Sequence, residues 1–341
     1  MKKRIFITIL TILIIALLTL ASIYYFNNKQ IKNPNLNKTE EVKPVEKKKL
    51  QIYSGEDRPI AVMIDNEKPA WPHSGLSDAY MIYEILIEGG ESRMMALFKN
   101  KDTAKIGPIR SARHYFVHYA LEQGAIYTHF GWSPKAESTI KSMGANNING
   151  IYDDYFWRVG GGYHNAFSSI KNITNMANKK GYLTIGSSEP KYKYSVNEVN
   201  LESEKNVESL NITYSNLHNT SYDYDETKKV FLRSMRSIKD IDRETKEQYF
   251  AKNIVIMYVK NYALIDSENK GRQELDNVAT GMGYYLTNGK CIDITWKKDS
   301  IKSKTIWLNQ KGEEIVLNDG ITYVQIVPEN NKVNFVYKQE Q

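Results

Sequence analysis

Eleven polar residues between positions 65 and 164 have side chains able to hold or convert a charged substrate: Asp65, Asn66, Glu84, Glu88, Arg93, Arg110, Ser111, Arg113, His114, His129 and His164. Carboxylates and imidazoles are the usual general acids and bases, and the planar fork of arginine matches a carboxylate or phosphate. Arg110-Ser111-Ala112-Arg113-His114 follows a Gly107-Pro108 break and predicts a helix start with Ser111 as its N-cap. Cations are disfavoured there by the helix dipole, so an anion should lie close by. That anion is either a ligand or one of the protein's own carboxylates. In the second case Glu84 and Glu88 pair with Arg93, Arg110 or Arg113 as a partly buried ion network.

Known catalytic signatures do not match. The chain lacks a G-x-S-x-G elbow, an H-E-x-x-H pair, a phosphate-binding Walker loop and a Cys-x-x-Cys. His114, His129 and His164 with Asp65 do not have the spacing of a usual zinc site, so no metal and no cofactor is expected. His129 and His164 also suit hydrogen-bonded structural roles. Trp132, Tyr155, Trp157 and Tyr163 fit either a platform for sugar rings or packing at the edge of a core. In the second half Arg233, Arg236 and Trp296-Lys297-Lys298 stand out, the last as a strand end at a surface.

The elements that must position these residues follow from periodicity. Ile60–Ile64 is a continuous apolar run ending in Asp65-Asn66, the pattern of a strand buried on both faces. Met81–Ile87 predicts a second strand with Glu84 and Glu88 facing one way, and Met94–Phe98 a third. A helix follows over Ser111–Gln123, then a strand over Ala125–Phe130. Ser133-Pro134 opens a further helix that stops at Gly144. The glycine-rich Gly160–Gly162 turn precedes a helix near Phe167–Lys179. Polar strand ends of this kind are where ligands collect in open α/β sheets.

Beyond about residue 190 short alternating runs dominate: Val207–Tyr214, Val230–Arg233, Ile254–Tyr262, Gly283–Leu286, Cys291–Trp296, Thr305–Leu308, Thr322–Val327 and Val333–Tyr337. Asn288-Gly289 is a strong hairpin signal, and Gln310-Lys311-Gly312 and Asn318-Asp319-Gly320 are further hairpin signals. The fold class is therefore α+β. A mixed α/β domain spans residues 58–190, and a mostly antiparallel β domain spans 191–341.

Residues 1–4 form a basic stub before the uncharged run 5–26, which is long enough to cross a bilayer as a single transmembrane helix; a cleaved signal peptide, with Thr19-Leu20-Ala21 resembling a cleavage site, is the competing reading. The charge asymmetry places the bulk of the chain outside the cytoplasm. Residues 27–57, rich in Asn, Lys, Glu and Pro, suit a flexible linker. Residues 1–50 hold ten Lys/Arg and three Asp/Glu, whereas residues 51–341 hold 36 of each. The net charge of +7 therefore belongs to the membrane-proximal segment, and no nucleic-acid partner is indicated. Cys291 is the single cysteine. It excludes an intramolecular disulfide and suits a small buried hydrophobe.

Several phrases resemble a known family. They are Pro59-Ile60-Ala61-Val62-Met63-Ile64-Asp65-Asn66, Ser74-Gly75-Leu76-Ser77-Asp78-Ala79, Glu88-Gly89-Gly90 after Tyr83-Glu84, and Ile106-Gly107-Pro108-Ile109-Arg110-Ser111-Ala112-Arg113. In the β half, Gly281-Met282-Gly283-Tyr284-Tyr285 and Thr295-Trp296-Lys297-Lys298 continue the likeness. Together, in order over residues 58–328, they resemble the YerB-like lipoproteins of Gram-positive bacteria. The resemblance implies a two-domain extracytoplasmic protein of unassigned activity, with no catalytic residues to transfer. The cysteine of the lipoprotein pattern is missing near the N-terminus, and a membrane helix stands in its place.

The expectation is a membrane-anchored envelope protein binding an anionic or carbohydrate-containing ligand, such as a cell-wall polymer fragment. Arg110 and Arg113 would clamp the anion. Two alternatives are a hydrolase of wall polymer, using Glu88 or Asp65 with His129 or His164, and a structural partner of envelope proteins docked through β-sheet edges.

Overall fold

The computed structural model describes residues 2–30, 49–203, 205–266 and 268–339. Most of the expected linker, residues 31–48, lies outside them. Two compact units result, residues 1–48 and 49–341. The first contains helix α1 (Lys2–Gln30), longer than the apolar run itself. Within it Ile9–Lys29 is long and apolar enough to cross a membrane.

The second unit starts earlier than Arg58. The amides of Gln51 and Ile52 donate to the Asp319 carboxylate, Tyr53 is buried, and Asp57 pairs with Ile185. Its centre is a ten-stranded sheet to which both halves of the sequence contribute. Strands β1 (Ile60–Asp65), β2 (Met81–Leu86), β3 (Ser92–Phe98), β4 (Ile126–His129) and β5 (Asn147–Asn149) come from the first half. Across the sheet they run in the order β2, β3, β1, β4, β5. Beyond β2 follow Thr322–Pro328, Asn253–Val259, Thr280–Thr287, Lys290–Lys297 and Ile306–Leu308. Thr322–Pro328 lies parallel to β2, pairing Glu84 with Gln325.

Alternation along the strands feeds two apolar layers. Ala61, Met63, Tyr83, Ile85, Met95 and Leu97 pack beneath helix α2 (His114–Glu122) and helix α3 (Pro134–Met143). Ile60, Val62, Ile64, Ile82, Met94 and Ala96 face helix α4 (Ile170–Lys179) and a second sheet. That sheet is antiparallel, with strands in the order Ile238–Lys239, Val230–Met235, Asn219–Asp225, Val207–Thr213, Val333–Tyr337.

Several local signals are realised. Ser133 caps α3 by accepting from the Ala136 amide at 3.2 Å, with proline at the first turn and Gly144 in the left-handed region. Asn288-Gly289, with φ of 51° and 73°, closes the hairpin between Thr280–Thr287 and Lys290–Lys297. Cys291 is buried, which pushes its thiol up to about 12.

Three expectations are overturned. The helix expected from Ser111 begins at His114, with Arg113 at the N-cap. The chain before it is extended because it pairs with β1: Asp65 N donates to Pro108 O at 2.8 Å and Arg110 N to Met63 O at 3.0 Å. Asn318-Asp319-Gly320 closes no hairpin, because Leu317–Asn318 pairs instead with Tyr194–Ser195. Lys298 is no surface residue. It is buried against the equally buried Glu122, and its ammonium group donates to that carboxylate.

Candidate functional site

The end of β1 carries the chemistry. Asp65 has a completely buried side chain, and its Oδ2 accepts from His164 Nδ1 at 2.8 Å. Arg110 Nε stands 3.3 Å from the same oxygen, although its N–H has no hydrogen-bond partner. Arg110 Nη1 donates to Tyr163 O at 3.2 Å, tying the glycine-rich loop to this point. Two residues past Asp65, Glu67 lies 3.6 Å from Arg93 Nη2. Asp65, Glu67 and His164 each offer one metal-ligating atom, and these atoms lie within 4.8 Å of one another.

The segment 65–67 is fixed from several sides. His73 Nε2 lies 2.8 Å from Asp65 O, Trp71 Nε1 donates to Asn66 O at 3.1 Å, and Glu67 N donates to Asp65 Oδ1 at 3.2 Å. Beside it, Arg93 Nη1 donates to Ser111 O at 2.9 Å. Arg113 is mostly buried and engages Glu88 through both Nε, at 2.9 Å, and Nη2. Ser111 thus enters through its backbone carbonyl and not as a helix cap.

Glu84 belongs to a different environment from Glu88, contrary to the shared face expected from strand alternation. Glu88 sits in a 3-10 turn after β2, whereas Glu84 points from β2 toward the second sheet. Its Oε1 accepts from Asn66 Nδ2 (3.0 Å), Ser92 Oγ (2.7 Å), Thr220 Oγ1 (2.9 Å) and His218 Nε2 (3.1 Å). Its Oε2 accepts from Arg233 Nη2 at 2.9 Å. Burial alone would raise this carboxyl, but the Arg233 guanidinium and His218 outweigh it and hold Glu84 far below the usual carboxylate range. Burial likewise opposes charge on His218, yet bonding to Glu84 and Glu91 raises it. Arg233 also binds Asp240, and Asp240 lies 3.3 Å from His73 Nδ1. A buried polar chain therefore runs from Glu84 through Arg233, Asp240 and His73 to the backbone of Asp65.

The remaining candidates lie elsewhere. His129 Nδ1 is 2.8 Å from Gly131 O and its Nε2 3.3 Å from Asn147 Oδ1; burial pushes the imidazole down to about 4. His114 lies 2.8 Å from Glu274, which also binds Lys135, and burial lowers it as well. The sequence-derived set thus separates into a partly exposed rim (Arg110 and His164, with Glu67 added) around the buried Asp65, a neutralised pair (Glu88–Arg113) and a buried network around Glu84 and Asn66. Glu67, His73, His218 and Asp240 were missed. The i, i+2 spacing of Asp65 and Glu67 was a usable signal, whereas the others are set by tertiary pairing.

The fold is α+β, with both halves of the sequence contributing to the central sheet. Its residues 47–183 match the family described as "Protein of unknown function (DUF3048) N-terminal domain", and residues 210–324 match the corresponding C-terminal domain. The chain is 30% identical over 279 residues to "Putative lipoprotein YerB" of Bacillus subtilis (strain 168), across 80% of this chain and 82% of that protein. The crystal structure of YerB protein from Bacillus subtilis aligns with a TM-score of 0.73 at 28% identity, covering 84% of this chain and 96% of that one. The chain belongs to the YerB-like family.

Proposed function

We propose that the protein is a binding module of the cell envelope, tethered by α1, which takes an anionic, carbohydrate-containing polymer at the rim around Arg110 and His164. The observation that carries this reading is the exposed Tyr163 at that rim, with further exposed aromatics in the same segment of the chain. Tyr163 is 77% exposed, adjoins His164 and accepts from Arg110 through its carbonyl; Tyr152 is 72% exposed and packs its ring 5.8 Å from that of Trp132. Tyr155, in the same segment of the chain, is also exposed. Aromatic faces suit sugar rings, and a half-exposed guanidinium suits a phosphate or carboxylate. The anion clamp expected from Arg110 and Arg113 together is reduced to Arg110, because Glu88 already occupies Arg113. Membrane tethering is supported by α1 and by the lipoprotein name of the relative. The basic N-terminal stub supports single-pass anchoring with the bulk of the chain outside the cytoplasm.

The test uses the full chain in detergent with polyglycerol-phosphate teichoic acid and a neutral β-glucan as probes. Arg110→Ala should weaken teichoic-acid binding at least about tenfold, the value of one charge-assisted contact. Tyr163→Ala should weaken both probes. Equal binding by wild type and Arg110→Ala rules the reading out.

The Asp65–His164 pair favours one second reading, hydrolysis. A buried carboxylate that orients a half-exposed imidazole is the arrangement of a general base. Glu88, fully engaged by Arg113, does not suit the acid–base role. Polymer cleavage that disappears in His164→Gln would establish this alternative.

A further inference from the structure

We propose that Asp65, Glu67 and His164 bind one divalent transition-metal ion of the Mn2+ or Zn2+ class. The proposal goes beyond the polymer-binding reading and stands without it. It rests on donor geometry together with incomplete pairing. Asp65 ends β1 and Glu67 follows two residues later, at the bend before a 3-10 turn, which brings their carboxylate oxygens within 4.8 Å of each other and of His164. His164 arrives from the loop after Gly162. The 2.8 Å between Asp65 Oδ2 and His164 Nδ1 is close to the separation of adjacent ligands, about 3 Å, around a six-coordinate ion with bonds near 2.1 Å.

The pairing of these carboxylates is incomplete. Among the described residues, Glu67 has one ion-pair partner, Arg93 at 3.6 Å, beyond the 2.7–2.9 Å typical of a charge-assisted hydrogen bond. The Nε of Arg110, 3.3 Å from Asp65 Oδ2, is buried without a hydrogen-bond partner. Glu67 thus keeps accepting capacity toward His164, whereas Asp65 already accepts from His164 and from the Glu67 amide, contacts that a bound ion would replace. The segment is already held by Pro108, His73 and Trp71, so binding an ion requires little ordering. Two carboxylate oxygens with one imidazole nitrogen suit Mn2+ or Zn2+; calcium sites are built from oxygen alone. Arg93 and Arg110 oppose a dication, which points to a modest site with open coordination positions and not a closed structural one.

The experiment titrates Mn2+ into the full chain in detergent and follows loss of the free-ion electron paramagnetic resonance signal, with Zn2+ as competitor. One ion per chain is expected, displaced by Zn2+. Outer partners of a metal site are worth about 10–100-fold in affinity, so removing a direct ligand by Glu67→Gln or His164→Gln should weaken uptake at least tenfold. Both residues are partly exposed, and the thermal unfolding of the metal-free variants verifies that they fold. The proposal is overturned if neither ion is taken up, or if Glu67→Gln and His164→Gln, folded as wild type, bind Mn2+ equally well. Polymer binding by Arg110→Ala is scored separately, so the two readings fail independently.

Discussion

Replacing Arg233 by Met tests whether the buried polar chain is an interlocked unit. Arg233 is fully buried and serves two carboxylates, Glu84 and Asp240, which are themselves buried. Methionine fills part of the volume but leaves both without their cation. Breaking a buried pair by removing one partner costs about 3–5 kcal/mol. At about 2 °C per kcal/mol for a chain of this size, Tm should fall by roughly 6–10 °C. The dependence on pH follows from the sign of the shift. In the wild type Glu84 titrates below its unfolded value of about 4.3, so its contribution is present above that pH and is lost as pH falls below it. In the variant, burial without Arg233 favours the protonated carboxyl. The folded variant then binds protons more readily than its unfolded chain, and its deficit shrinks as pH falls from 7 toward 4.5. Urea unfolding at several pH values measures both effects. A loss below about 1 kcal/mol, or a deficit that does not vary with pH, would refute the picture of two carboxylates depending on one guanidinium.

Two further outcomes are expected. Lys298→Met should destabilise by about 3–5 kcal/mol, because it strands Glu122, which also accepts from Tyr192 Oη and Thr305 N; a change within ±0.5 kcal/mol by chemical denaturation would return Lys298 to the surface. His118 and His129 are both pushed down to about 4 by burial, below an unfolded value of about 6.5. Their stabilising contribution is therefore present above pH 6.5 and is lost toward pH 4, at up to about 1.4 kcal/mol per pH unit for each proton. The double variant His118→Gln/His129→Gln should show a flatter urea midpoint over that range than the wild type, and an identical slope would count against buried neutral histidines.

Legibility in the sequence tracked how local each determinant is. Strand β1, the α3 cap at Ser133 and the Asn288-Gly289 hairpin depend on a few adjacent residues, and each formed as expected. The α2 start was misjudged because Ser111 is a good capping residue in the wrong backbone conformation: pairing with β1 at 108–110 and with Gly131–Ser133 at Ala112 keeps this stretch out of the helix. The Asn219–Asp225 strand escaped notice because its inward positions are Thr220 and Tyr222, not aliphatic residues. Thr220 is polar for a reason visible only in three dimensions, as it donates to Glu84. Lys298 was misplaced in the same way, since a lysine after a strand resembles an exposed end until its partner 176 residues away is known.

The same distinction explains why the candidate site was found but wrongly composed. Of the groups in the Glu84–His114 window expected to pair with one another, namely Glu84, Glu88, Arg93, Arg110 and Arg113, only Glu88 and Arg113 do so. Glu84 instead takes its cation from Arg233 in the second sheet, and Asp65 is flanked by His164 and Arg110. Because Glu84 is satisfied from the far side, it neither neutralises Arg110 nor competes for a ligand. Asp65 is left as the only buried acid at the rim. Its position is set by His73, which is bound in turn to Asp240 and through it to Arg233. A perturbation at Arg233 should therefore reach the rim without touching it: metal or polymer binding should weaken in Arg233→Met even where the variant remains folded. If binding is unchanged under folded conditions, the buried chain serves stability alone, and the rim depends on β1 and the Pro108 pairing for its geometry.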